Sequence, residues 1–182
     1  KNIKLFCGKP LIFWNLKELQ SSCVDEIVVA TDSVKIKEVV NSFSFSKVKV
    51  YDRLCENAND DSSTESVMLE YINQAKLNNN DTFILVQITS PYSQTIDFEK
   101  GLDIFKNYDS VLSCCVSKKF IWDEKGVSLN YDFNNRPRRQ DYKGSLIENG
   151  AFYISSVKDI KNSKNRISGN IGIYQMPEYT FT

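Results

Sequence analysis

The sequence contains no histidine. That absence removes Ser-His-Asp and Cys-His catalysis, and every histidine-based metal site, from the chain. Any chemistry must use carboxylates, lysine and arginine, hydroxyls, amides, or a metal held by oxygen. Net charge is also missing, because 23 lysines and arginines balance 23 aspartates and glutamates. A general nucleic-acid binder carries a basic excess, so nucleic acid is a poor partner. No apolar run approaches the ~20 residues needed to cross a membrane, and no signal-peptide pattern is visible. The five cysteines (Cys7, Cys23, Cys55, Cys114 and Cys115) are odd in number and scattered, without a C-x-x-C. That argues against a disulfide framework. Reduced, buried thiols in a cytoplasmic protein are the expectation.

What is present is ordinary for a globular domain. The chain has 182 residues, 41% of them hydrophobic and 25% charged, which suits one domain with a core of its own. It opens at Lys1 without a methionine and closes on "MPEYTFT". The expectation is a single domain over 1–182, incomplete at both ends, cut from something longer.

Apolar periodicity then orders the chain. "GKPLIFWNLKELQSS" has helical spacing behind Pro10, which suits a first turn. "EIVVAT" (26–31) reads as a buried parallel strand. Asp32 or Ser33 can cap "VKIKEVVNSF", and "KVKVY" (47–51) alternates like a strand. Ser62 and Glu65 match a capping box ahead of Val67, Leu69 and Ile72. "DTFILVQI" (81–88) and "DSVLSCCV" (109–116) are strands flanking the helix "TIDFEKGLDIFKNY". This alternation predicts an α/β fold with a mostly parallel sheet covered by helices on both faces. Residues 118–146 break the rhythm, being long, polar, aromatic and irregular, which points to function. "LIENGAFYI" and "NIGIYQM" look like two further strands.

In open α/β sheets, ligands bind at the carboxyl ends of strands. Those ends here are "ATDS", "YDR", "QITSPY" and "CVSKK". Gln87 stands out, because it sits inside an apolar run where a buried amide needs partners. Positive charge is concentrated at "NRPRRQDYKG", with Arg136, Arg138, Arg139 and Lys143 against one acid, Asp141. On a regular strand Asn149, Ala151 and Tyr153 share one face, while Glu148, Gly150 and Phe152 share the other. That alternation would let Asn149 and Tyr153 line one pocket, or leave Tyr153 in the core.

Seven motifs in order carry a resemblance. They are Lys1-Asn2, Gly8-Lys9-Pro10-Leu11, Thr31-Asp32-Ser33, Asp60-Asp61-Ser62-Ser63, Gln87-Ile88-Thr89-Ser90-Pro91, Arg139-Gln140-Asp141 and Asn149-Gly150-Ala151-Phe152-Tyr153-Ile154. Together they resemble the acylneuraminate cytidylyltransferases, the CMP–sialic acid synthetase family of bacterial nonulosonate activation. Ile88 stands where that family usually has proline, and Tyr92-Ser93 where it has Leu-Arg. The family's phosphate-binding loop would lie before Lys1 and its magnesium-holding carboxylates after Thr182.

The resemblance implies a Rossmann-like three-layer sandwich of the nucleotide-diphospho-sugar transferase type, with a small dimerisation arm at 118–146. It implies a transfer of CMP from CTP to a nine-carbon sugar acid, the anomeric hydroxyl attacking the α-phosphate and pyrophosphate leaving. Mg²⁺ would be the cofactor, with ligands outside this segment, and the protein a homodimer. By position, Asn2, Arg53, Ser63 and Thr64 would contact the nucleotide; Ser63 and Thr64 equally suit a helix cap. Gln87, Arg139, Gln140, Asn149 and Tyr153 would contact the sugar acid. Arg139, with a guanidinium fork matched to carboxylate, is also the catalytic candidate. An eight-carbon (3-deoxy-manno-octulosonate) or other sugar nucleotidyltransferase, or a silent binding module, are the competing readings.

Overall fold

A computed structural model describes residues 1–57 and 62–180. Asp60 and Asp61, part of one motif above, lie outside the described residues. A two-residue hairpin, β1 (Leu5–Phe6) and β2 (Lys9–Pro10), leads into α1 (Leu11–Ser21). There follow β3 (Ile27–Ala30), α2 (Val34–Asn41), β4 (Val48–Tyr51), α3 (Thr64–Gln74), β5 (Thr82–Val86), α4 (Thr95–Phe105) and β6 (Ser110–Ser117). After the irregular arm come β7 (Ser145–Ser156), α5 (Val157–Ser163) and β8 (Ile171–Met176).

β3 and β4 pair in parallel, register Ile27↔Val48 to Ala30↔Tyr51. The other large sheet has the order β5-β7-β6-β8. It is mixed: β6 and β8 are parallel, while β7 runs antiparallel to both its neighbours. Strand-side alternation sorts the core into layers. Ile12, Leu16 and Leu19 of α1 and Phe98 of α4 pack with Val111, Phe152 and Ile154 on one face. Met68 and Ile72 of α3 pack with Val157 and Ile160 on the other. Phe98 and Phe152 are fully buried, and burial of each side chain contributes about 1.5–3 kcal/mol. α4 lies so close to β7 that a Cβ at Gly101 would meet Phe152 at 2.7 Å.

Several local expectations need correction. The first turn of α3 has no capping box from Ser62 and Glu65. Its N-cap is Ser63, whose Oγ accepts from the Ser66 N–H at 3.0 Å. Glu65 is turned away to an arginine on another loop. At α4 the Gln94 N–H donates to Asp97 Oδ2 at 2.8 Å and the Asp97 N–H to the Gln94 backbone carbonyl at 2.9 Å, and Gln94 is an unusual cap. Pro10 precedes α1 and ends β2. Only Cys114 and Cys115 are buried; Cys7, Cys23 and Cys55 are exposed, and all five are free thiols.

Candidate active site

The carboxyl ends of β3 and β4 meet the start of α3, where Asp32, Arg53, Ser62, Ser63 and Thr64 come together. Arg53 follows β4 and lines the same cleft as Ser62, Ser63 and Thr64 at the start of α3. Arg53 pairs with Asp32 after β3, and its Nε is buried without a partner. Asp32 is held below the usual carboxylate range by that guanidinium. The loop carrying Arg53 is anchored from beneath by Glu70 of α3. This buried carboxylate accepts from the Leu54 N–H at 2.8 Å, the Tyr51 hydroxyl at 2.7 Å and the Asn57 amide at 2.6 Å. Asn2 lies against the start of α1, its carbonyl accepting from the Ile12 N–H at 3.0 Å.

Gln87, just past β5, is half-buried, and its backbone carbonyl accepts from the Asn15 amide at 3.0 Å. Its side chain packs against Gly150, where a Cβ would stand 2.7 Å from Oε1 and 4.0 Å from the Tyr153 hydroxyl. Gly150 has φ +69°, a conformation glycine reaches without strain. That turn breaks the alternation of β7: the register with β6 jumps between Leu112↔Tyr153 and Cys114↔Glu148. The expected face-sharing of Asn149 with Tyr153 therefore fails. Tyr153 instead donates its hydroxyl to Glu148, which regular alternation had put on the opposite face. Asn149 is buried, its amide donating to Thr180 Oγ1 at 3.0 Å and to Met176 Sδ at 3.2 Å, with Oδ1 accepting from the Ala151 N–H.

Tyr153 is only 3% exposed. Burial, then the Glu148 carboxylate it donates to, push its hydroxyl up to about 12. The Arg166 guanidinium lies 5.0 Å from its ring centre. Arg166 Nε also donates to Glu65 Oε1 at 2.6 Å. The ion pair lowers the Glu65 carboxyl and raises Arg166. A chain Glu65–Arg166–Tyr153–Glu148 thus ties the start of α3 to β7 beside Gln87. Sequence reading missed Glu65 and Arg166 in this role, because they lie 101 positions apart and no local spacing signals the pair.

Arg139 and Gln140 stand apart from that cluster, exposed on the arm. Arg138 is paired with Asp141 at 2.6 Å, and Arg136 stacks on Phe120, 4.4 Å from its ring centre. Among the described residues the Arg139 side chain has no hydrogen bond or ion pair, though its backbone carbonyl accepts from Lys118 at 3.2 Å. Trp122, Phe133 and Leu129 on the arm are 45%, 56% and 60% exposed.

Chemically, the cluster offers amides, hydroxyls and guanidinium groups suited to a polyol and an anion. It lacks an activated nucleophile: burial first, then the Glu148 charge, push the Cys114 thiol up to about 11, and no histidine can serve as base. Among the described residues no group of three or more carboxylates or thiols could hold a metal. Magnesium therefore does not fit the residues described. No helix among the described residues is long and apolar enough to cross a membrane.

A family model described as Cytidylyltransferase matches residues 1–176. The chain is 35% identical to an N-acylneuraminate cytidylyltransferase of Oncorhynchus mykiss, over 99% of this chain and 43% of that protein. It is 33% identical to N-acylneuraminate cytidylyltransferase B of Danio rerio, over 97% of this chain and 43% of that protein. The chain thus spans less than half the length of these relatives. Its backbone superposes on a CMP:2-keto-3-deoxy-manno-octonic acid synthetase complexed with CTP. The TM-score is 0.68 at 18% identity, covering 97% of this chain and 83% of that one.

Proposed function

The chain belongs to the cytidylyltransferase family, and on that premise we propose that the protein activates a sialic-acid-like sugar acid. CMP is transferred from CTP to the anomeric hydroxyl, and pyrophosphate leaves. The observation that carries this reading is 35% identity, sustained over 99% of the chain, to an N-acylneuraminate cytidylyltransferase. The eight-carbon alternative rests on a likeness of fold at 18% identity. Direct displacement at phosphorus asks for positioning and charge neutralisation rather than a covalent intermediate. A cluster with cations and amides and no activated nucleophile supports that. Mg²⁺, held by groups outside the described residues, would supply further neutralisation of the phosphate charge.

In this reading Asn2, Arg53, Ser63 and Thr64 hold the nucleotide. Arg53 has an unsatisfied Nε, and the start of α3 presents free N–H groups to an anion. Gln87 and Tyr153 meet the sugar hydroxyls. Asn149 fixes the turn that brings them together. Arg139, with Gln140 beside it, reads the sugar carboxylate and steadies the reacting end. The arm's exposed Trp122, Phe133 and Leu129 form the homodimer interface, which buries its aromatic centre. The protein works in the cytoplasm.

The test is pyrophosphate release by the complete polypeptide with CTP, Mg²⁺ and a panel of sugar acids. Turnover of nine-carbon acids, with 3-deoxy-manno-octulosonate at least tenfold poorer, is the expected result. Absence of release with every nonulosonate would sink the substrate class.

A further inference from the structure

Glu70 stands nearly two turns into α3 and is 8% exposed. A carboxylate is seldom buried without a cation to pair with it. Among the described residues Glu70 forms no salt bridge. Its partners are neutral donors from three places. Oε1 accepts from the Tyr51 hydroxyl at the end of β4 and from the Leu54 N–H in the loop behind it. Oε2 accepts from the side-chain amide of Asn57, in the single turn Cys55–Asn57. One side chain of α3 thus holds the segment 51–57 along its length. A carboxylate suits three donors because both its oxygens only accept. A glutamine would offer two of the donors its oxygen and set its nitrogen against the third. Burial pushes the Glu70 carboxyl up. The Leu54 N–H, the Asn57 amide, the Tyr51 hydroxyl and the Arg53 charge outweigh it and hold the carboxyl below its ordinary value.

The segment so held carries Arg53. Its ties to α2 and to the loop after β3 run through exposed acids, Asp52 to Lys37 and Arg53 to Asp32. Ion pairs in solvent contribute little, so Glu70 is the principal tie. The end of β4 has support without it. The Tyr51 ring packs on Tyr71 at 5.1 Å, and the Tyr51 carbonyl accepts from the Thr31 N–H at 2.9 Å. Loss of the carboxylate would therefore release the loop and leave the strand pairing in place. Glu70 also sits on the helix whose start presents Ser63 and Thr64. Arg53, Ser63 and Thr64 line one cleft, and Glu70 links its two sides. None of the three donors to Glu70 belongs to the Gln87–Tyr153 cluster or to the arm.

We propose that Glu70 is a positioning residue for CTP: it fixes the Arg53 loop beside Ser63 and Thr64, and so sets affinity for the nucleotide and not for the sugar acid. The proposal rests on the reading above that places the nucleotide at these residues. Glu70 itself touches no ligand; it acts through the loop. The arrangement has a direction, because Asn57 donates and Glu70 accepts. Exchanging those two roles should preserve it.

The test is calorimetric titration of the complete polypeptide with CTP and Mg²⁺, which needs no sugar acid. Wild type, Glu70→Gln and the double variant Glu70→Gln/Asn57→Asp are compared. Glu70→Gln keeps the shape of the side chain and both bonds of Oε1, but sets nitrogen against nitrogen at Asn57. It should weaken CTP binding about tenfold, the scale of one hydrogen bond to a charged group. Adding Asn57→Asp restores an acceptor and should bring affinity back to within about threefold of wild type. KM for N-acetylneuraminic acid at saturating CTP should stay within about twofold in both variants. Wild-type affinity for CTP in Glu70→Gln would overturn the proposal. So would a double variant no tighter than Glu70→Gln, or an equal loss toward CTP and sugar acid, which marks a general loosening. A wild type that binds no CTP would overturn the nucleotide reading and the proposal with it, so the two failures are told apart.

Discussion

The side-chain cluster at the end of β5 and the bulge of β7, and the arm at 118–146, use arginine in opposite ways. In the cluster, Arg166 is enclosed by the fold. Its side chain is 20% exposed, its Glu65 partner's 22%, and Tyr153 lies against it. On the arm, Arg138 and Asp141 pair with side chains 75% and 52% exposed, and Arg139 is uncommitted. A charge enclosed with its partner holds elements in place. A charge left in solvent contributes little to the fold and is free to meet a substrate. The difference separates scaffold cations from the cation proposed to recognise the sugar acid, although sequence shows only arginines.

Breaking the two ion pairs should separate the regions most clearly. Arg166→Met strands the Glu65 carboxylate in a site that is only one-fifth exposed. It should lower stability by about 2–3 kcal/mol, near the lower edge of what losing one partner of a buried pair costs. Arg138→Met on the arm should change stability by less than about 0.5 kcal/mol. Urea unfolding of both variants checks the pair of values.

Gly150→Ala comes next. It forces a left-handed conformation on a residue with a Cβ and pushes on Gln87. A loss of about 1–2 kcal/mol is expected, together with a raised KM for sugar acid. A KM unchanged alongside the stability loss would remove Gln87 from the pocket.

The pH dependence sharpens the same contrast with smaller effects. The folded Glu65 carboxyl lies below its unfolded value because Arg166 holds it charged. Its contribution is present above the unfolded pKa and is lost as pH falls through the folded one. Arg166→Met should therefore lose less stability than wild type as pH falls below about 4.5. At the alkaline end, Tyr153 is raised to about 12 by burial and by Glu148. Its contribution is complete below pH 10 and is lost as pH rises toward 12, so Tyr153→Phe should flatten that part of the stability curve.

Much of this was legible in the residues, and the exceptions have physical causes. Helix and strand periods are local, so α1 to α4 and β3 to β8 could be read from spacing. Gln87 stands out in the sequence because an amide inside an apolar run needs a reason, and the structure packs it against Gly150. The side of β7 that each residue faces was not legible, since Gly150 at φ +69° resets the alternation and exchanges Glu148 for Asn149. Glu65 was misread as a cap because its arginine lies on a distant loop. The short helix α5 was also missed, although Ser156 caps it by accepting from the Asp159 N–H at 3.0 Å.

The account turns on the claim that arm and pocket serve one substrate, with Arg139 reading its carboxylate. The most direct measurement is kcat/KM of the complete polypeptide for N-acetylneuraminic acid and for its methyl ester, in wild type and in Arg139→Ala. Wild type should prefer the free acid by about 100-fold, the scale of a charge-assisted bidentate pair. Arg139→Ala should lose most of that preference while KM for CTP stays within twofold. An undiminished preference for the acid in the variant, or an equal loss toward CTP and sugar acid, would contradict the account.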